Sequence, residues 1–259
     1  MMRIATWNIN GLRARLGFIR HWLRLRKPDI VGFQELKVDE GKFPYSVFKE
    51  EGYWSVVEAQ KAWNGVAILS RCEPQTQQKG LPGQKEMGAR FIEARIGKLT
   101  FITIYCPNGK HIGHLDYRRK LSWICALLTY LKDRHSPTEP LILCGDFNFC
   151  PAFLDSFNEE LLEGQIFHSK EERKLFNELL SWGLVDLFRE IYPDQKSFTW
   201  WDYRAGSFHR NHGLRIDFLL GTKSVLNGVE HVTIDREYRK KKEGMIASDH
   251  APVYADLIL

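Results

Sequence analysis

The residues best suited to chemistry stand where apolar runs stop. Arg3–Thr6 leads to Trp7-Asn8, Asp29–Phe33 to Gln34-Glu35, and Phe101–Ile104 to Tyr105. LILC (141–144) runs into Gly145-Asp146-Phe147-Asn148, RIDFLL carries Asp217, and Ser248-Asp249-His250 precedes the last apolar run. A single ending of this kind is most simply a turn, because Gly, Asp and Asn are turn formers. Turns alone explain poorly why six endings each deliver an amide, a carboxylate, a phenol or an imidazole. If the ends converge, their carboxylates repel and drift towards protonation unless a cation lies among them. Oxygen donors with few histidines and no thiolates suit a hard ion, Mg²⁺ with Mn²⁺ as a substitute, rather than zinc. Mg²⁺ commonly takes one or two protein carboxylates and completes its coordination with phosphate oxygens and water, so Glu35 helped by Asn8 suffices. The remaining acids are free for acid–base work, and His250 can pair with one of them. A cation, a His–Asp pair and an activated water make a phosphodiester-cleaving site.

Mounting such groups at one edge requires strands. Short apolar runs predict them at Arg3–Asn8, Asp29–Gln34, Tyr53–Glu58, Gly65–Ser70, Phe91–Ile96, Leu99–Tyr105, Leu141–Cys144, Ile216–Leu220 and Val253–Leu259. The spacing of Leu16, Ile19 and Leu23 predicts a helix over Arg13–Lys27, stopped by Pro28. Leu121, Ile124, Leu128 and Leu131 predict another over Tyr117–Arg134, and a third covers Glu171–Trp182 with Gly183 at its C-cap. Stretches 71–88, 106–116, 134–140 and 202–213 read as loops, none long or biased enough for an interdomain linker. One domain over residues 1–259 is expected. Strands that do not alternate strictly with helices point to a sandwich of sheets with helices outside it.

Composition narrows the classes. Hydrophobic residues make up 44% and charged residues 27%, an ordinary globular balance. No apolar run approaches the roughly 20 residues that span a bilayer, so no membrane partner is expected. The opening MMRIATWNINGLRA has no long apolar stretch or cleavage-like site. The expectation is a protein that is not secreted: cytoplasmic, and nucleoid-associated if the source is bacterial. Five cysteines without CxxC spacing argue against a disulfide framework or a zinc site. The net charge of +5 is mild, but RHWLRLRK (20–27) and REYRKKKE (236–243) are dense in cations. Either cluster alone reads as a solvated face; beside phosphate chemistry, the two together point to an anionic polymer.

WNINGLRA (7–14), Gln34-Glu35, Tyr105 before CPNG, GDFN (145–148), FTWWDYR (198–204), NHGLRIDFLL (211–220) and SDHAPV (248–253) resemble the exonuclease III family. These are the apurinic/apyrimidinic endonucleases of the endonuclease/exonuclease/phosphatase superfamily. GDFN and SDH mark the superfamily; WNINGLRA and DYR…GLRID are particular to the DNA-repair branch. The resemblance implies an α/β, four-layer sandwich, two packed mixed sheets flanked by helices and deoxyribonuclease I-like, with the site at one edge. It assigns Mg²⁺ to Glu35, with Asn8 and Asp249 beside it, and the attacking water to Asp146. Asn148 would hold the scissile phosphate or that water, Asp217 and His250 would form the charge-stabilising pair, and Tyr105 would meet the phosphate or leaving group. Gly145 would allow close backbone approach, and Phe147 would face away and pack.

The implied substrate is double-stranded DNA, cut 5′ to an abasic site or trimmed at its 3′ ends, by a monomer. An abasic sugar is cheap to extrude because no base stacking is lost. The family's sugar pocket maps to Trp200, Leu214 and Ile216, with Asn108 on the phosphate side and Arg13 and Arg204 on the DNA backbone. Leu214, where some relatives carry Trp, would widen that pocket and admit ordinary 3′ ends. A rival within the fold is a phosphodiesterase or phosphatase for a lipid or small phosphoester; a third reading is a DNA-binding module without chemistry. Trp7, Trp22, Trp54, Trp63 and Trp123 read as core or staple residues, Cys144 and Cys150 as buried structural thiols, and His111 and His114 as a solvated loop.

Overall fold

The computed structural model describes residues 1–258. Twelve strands form two six-stranded sheets. Strands β1 (Met2–Asn8), β2 (Ile30–Gln34), β3 (Trp54–Glu58), β4 (Val66–Ser70), β5 (Gln75–Lys79) and β6 (Phe91–Ile96) come first along the chain. They are followed by β7 (Leu99–Tyr105), β8 (Leu141–Asp146), β9 (Leu184–Asp186), β10 (Asp217–Thr222), β11 (Val229–Ile234) and β12 (Val253–Leu257). Their orders are β11-β12-β1-β2-β4-β3 and β5-β6-β7-β8-β10-β9. Both sheets are mixed, with β1/β2 and β7/β8 parallel and the other pairs antiparallel.

The helices are α1 (Leu12–Arg26), α2 (Tyr45–Glu50), α3 (Leu115–Arg134), α4 (Glu159–Leu162), α5 (Lys170–Trp182), α6 (Leu187–Ile191) and α7 (Lys223–Leu226). Alternation along the strands builds the layers. Ile4, Ile30 and Ile68 point between the sheets and meet Ala94, Phe101, Ile142 and Leu219. Ala5, Trp7, Val31 and Phe33 point outward, under Phe18, Trp22 and Leu23 of α1 and Phe48 of α2. On the far side, Ile102, Ile104 and Leu143 pack under Trp123, Leu127 and Leu131 of α3 and Phe176 and Leu179 of α5. The result is the expected four-layer sandwich.

Local chemistry sets the helix ends. α1 stops where Lys27 turns left-handed, at φ 47°, before Pro28. Ser169 and Glu172 close a capping box on α5, and Gly183 ends it at φ 129°. Three strands lie outside the predicted set. Gln75–Lys79 falls in the stretch read as a loop and is an exposed polar edge with a register break; Val229–Ile234 is an edge with a bulge; Leu184–Asp186 spans three residues. Edge strands bury little, and bulges break the period-two pattern that prediction needs. The final strand ends at Leu257, and Leu259 lies outside the described residues. Trp7, Trp22 and Trp123 are buried as expected, whereas Trp54 and Trp63 are corrections, 49% and 70% exposed. His114 caps α3 by accepting the Asp116 N–H, so it is not merely solvated.

Candidate active site

Three strand ends of the second sheet meet at one edge. Tyr105 on β7 lies in register beside Asp146 on β8, and Asp217 on β10 lies across from the same residue. Gly145 permits this closeness. Its φ is 138°, and a Cβ there would lie 2.0 Å from the Ile104 carbonyl oxygen, so a side chain does not fit. Asn148 follows with φ 51°. This left-handed turn brings its backbone N–H to Asp146 Oδ1 and its side-chain amide to the Cys106 carbonyl, each at 2.9 Å. Phe147 faces away and packs on Phe176 and Phe218.

The first sheet closes the other side. β1 and β2 set Asn8 beside Gln34, and Glu35 follows at once. The Asn8 amide bridges the sheets, donating to Glu35 Oε1 and Asp146 Oδ2 at 2.9 Å each. The loop before β12 supplies His250. Its Nδ1 bonds Asp217 Oδ2 at 2.8 Å, and its Nε2 lies 3.8 Å from Asp146 Oδ2. Ligating atoms of Glu35, Asp146 and His250 fall within 4.8 Å of one another, so the distant strand ends do converge.

Burial dominates the electrostatics. It pushes the Asp146 carboxyl up to about 7, helped by the charges of Asp217 and Glu35 and opposed by His250 and Asn8. Burial disfavours the His250 imidazolium as well, but Asp217, Asp146 and Asp249 outweigh it and raise that group to about 10. His250 is therefore a cation at neutral pH. Burial, then Glu35 and Asp146, keep Tyr105 a neutral phenol far above the ordinary range. Asp249 is the reverse case: burial opposes its charge, yet His250, the Trp200 indole and Asn10 hold it below the usual carboxylate range. The site thus presents one fixed cation, one carboxyl poised near neutrality and one protonated phenol around a space lined by oxygens.

A model of the endonuclease/exonuclease/phosphatase family matches residues 5–250. The chain belongs to this family. Exodeoxyribonuclease III of Haemophilus influenzae is 33% identical over 268 residues, which cover 98% of this chain and 99% of its own. DNA repair nuclease APEX1 of Danio rerio is 32% identical over 97% of this chain and 81% of its own. The structure of the 3′ phosphatase NExo from Neisseria, bound to a product DNA hairpin, matches with TM-score 0.95 and 37% identity over 100% of both chains. An AP endonuclease from Archaeoglobus fulgidus matches with TM-score 0.95 and 33% identity, again over 100% of both. These relatives place the chain in the exonuclease III branch of the family.

Within this family fold the donors could hold a metal ion. Glu35 and Asp146 face each other across the Asn8 amide, and a cation already sits on the free oxygen: Lys37 Nζ is 2.6 Å from Glu35 Oε2 and 2.6 Å from Asn10 Oδ1. His250 is close enough to ligate, but as an imidazolium it has no free lone pair. Glu35 and Asp146 remain as the available ligands. Asn8, expected beside the ion, turns its amide nitrogen towards the two carboxylates. Its oxygen accepts the Asn10 N–H at 3.0 Å, and turning the amide around would set that oxygen against two carboxylates. Asp249, expected beside the ion, accepts from Asn10 Nδ2 at 2.9 Å and from the Trp200 indole at 3.0 Å, which leaves further lone pairs on its oxygens.

The expected sugar pocket is closed. Leu214 and Ile216 are only 6% and 2% exposed, clustered with Cys150 under Phe157, Leu162, Phe167 and Trp200. Phe167 enters that cluster at φ 73°, a conformation that strains any residue but glycine. Leu214 therefore does not widen an opening as expected, because aromatic side chains occupy the space beside it. Asn108 is exposed, with its oxygen on the Lys110 N–H at 3.1 Å, and Arg13 is exposed on the first turn of α1. Arg204 is also exposed, with its guanidinium on Asp202 at 2.6 Å. Sequence reasoning missed Asn10 and Lys37, although each stands two residues after a residue it singled out. It also missed Phe167 and the buried Lys120, for which no local signal exists.

Proposed function

We propose that this protein is a Mg²⁺-dependent DNA phosphoesterase, with Mn²⁺ able to substitute, that removes phosphate and nucleotides from 3′ ends. Incision 5′ to an abasic site is the second reading. Asp146 in its carboxylate form takes a proton from a water placed over phosphorus, and the resulting hydroxide forms the new P–O bond as the bond to the 3′-oxygen breaks. The His250 imidazolium, fixed by Asp217, and the Asn148 amide face the phosphate oxygens as charge builds on them. Tyr105 holds the proton that the departing 3′-oxygen needs. Glu35 and Asp146 would hold the metal ion, which when bound neutralises the phosphate and the leaving oxygen.

The packing of Phe167 carries the preference for 3′ ends. A flipped abasic sugar needs room beside Leu214 and Ile216, and that room is taken. A terminal phosphate needs only the charged pit. The family's AP endonuclease relatives favour the second reading, which requires Phe167 to swing out. The test compares single-turnover rates on a recessed 3′-phosphate duplex and an abasic duplex. The parent should favour the 3′-phosphate by at least ~10-fold, and Phe167→Gly should raise abasic incision about as much. A parent that nicks the abasic duplex faster, or a variant with an unchanged ratio, would overturn the preference.

A further inference from the structure

Lys120 is a buried cation that the mechanism above does not use. It lies on α3 with its side chain 0% exposed, and its ammonium is paired with Glu172 at the start of α5. The same ammonium donates to the Asn148 backbone carbonyl at 2.7 Å. Two rings flank it, Phe149 at 4.7 Å and Phe167 at 4.8 Å from Nζ. Glu172 is itself fixed, because its other oxygen accepts from the Ser169 N–H and hydroxyl at 3.1 and 2.9 Å in the capping box. Lysine is seldom fully buried without a partner, and a structural ion pair would need only Glu172. Here the lysine also contacts the residue that carries the strained φ of 51°.

That turn sets the catalytic geometry. Asn148 N–H holds Asp146 Oδ1, so the direction of Oδ2 towards Asn8 and His250 depends on where residue 148 sits. A buried carbonyl without a donor would pull the turn towards another arrangement. We propose that Lys120 is a positioning residue: clamped by Glu172, it fixes the Asn148 turn that aims Asp146, and it seats Phe167 over the closed pocket. Lys120 touches no reacting atom. It acts through Asn148 and Phe167, which both contact its ammonium.

This inference rests on the reading of the site as a 3′-end phosphoesterase, and turnover by the parent protein checks that reading separately. Lys120→Met alone would leave the Glu172 carboxylate buried and unpaired. The informative variant is therefore the double change Lys120→Met with Glu172→Gln, with Lys120→Arg as the milder second variant. On the 3′-phosphate duplex the double variant should lose about 100-fold in kcat with KM within about twofold, as expected for a displacement of about 1 Å. Lys120→Arg should recover part of that loss. The abasic to 3′-phosphate rate ratio should rise. A double variant that folds by circular dichroism and keeps the parent's kcat would overturn the proposal. So would a loss of kcat matched by the loss of folded protein, or an equal rise in KM.

Discussion

Asp146→Asn should stabilise the protein while disabling it, and the gain should depend on pH. The Asp146 carboxyl is raised from 3.8 to about 7, chiefly by burial. A carboxyl raised on folding destabilises as it ionises: the penalty begins near pH 3.8 and is complete above about 7. Linkage puts that penalty at about 2 kcal/mol at pH 5 and about 4 kcal/mol at pH 8. Removing the carboxylate should therefore gain about 2–3 kcal/mol more at pH 8 than at pH 5. The variant also deprives His250 of a neighbouring charge. That loss arises only where Asp146 is ionised, and the attraction to His250 is already contained in the value of about 7, so it is not counted again. Urea unfolding of parent and variant in EDTA at the two pH values measures the gain, and Mg²⁺ at pH 8 should narrow it by stabilising the parent alone. Turnover should fall by about 10²–10⁴-fold, the usual contribution of a positioned base. A stability gain equal at both pH values, or larger at pH 5, would refute the view that Asp146 is a strained, burial-raised carboxyl.

Asp217→Asn should move the alkaline limb of the kcat–pH profile downward from about 10, because burial of the imidazolium would no longer be offset by its nearest carboxylate. His250 stability is present below pH 6.5 and lost through about 10 in the parent, so the variant should also lose that pH dependence of unfolding. Arg215→Met should cost about 3–5 kcal/mol in urea unfolding, since it leaves the Asp186 carboxylate, 2.7 Å from the guanidinium, without its cation and leaves buried Asp155 with Arg189 alone. Gly145→Ala should give no soluble folded protein, because its Cβ has nowhere to go beside the Ile104 carbonyl.

Much of this site was legible because strand ends are read one at a time. An apolar run that stops at Asp146 or Glu35 announces both a strand and a carboxylate at its end, and the strand registers then do the gathering. What sequence alone could not supply was direction. Asn8 is an obvious oxygen donor on paper, but its amide faces two carboxylates, and only that juxtaposition decides that it donates. Phe167 lies 47 residues before Leu214, with no periodicity to tie them together, so a closed pocket read as an open one. Lys120 looks like one more polar position on an amphipathic helix; its burial follows from Glu172, which sits on a different helix. The edge strands Gln75–Lys79 and Val229–Ile234 were hidden for the opposite reason, since they bury too little to leave a pattern.

The most direct measurement of the central claim is inorganic phosphate released from a recessed 3′-phosphate duplex by the purified protein, with Mg²⁺ and again after chelation. The account predicts multiple turnovers with Mg²⁺, none with EDTA, and none from a His250→Asn protein that still folds. Phosphate release that survives chelation or the His250 change, or no release under any condition, would contradict it.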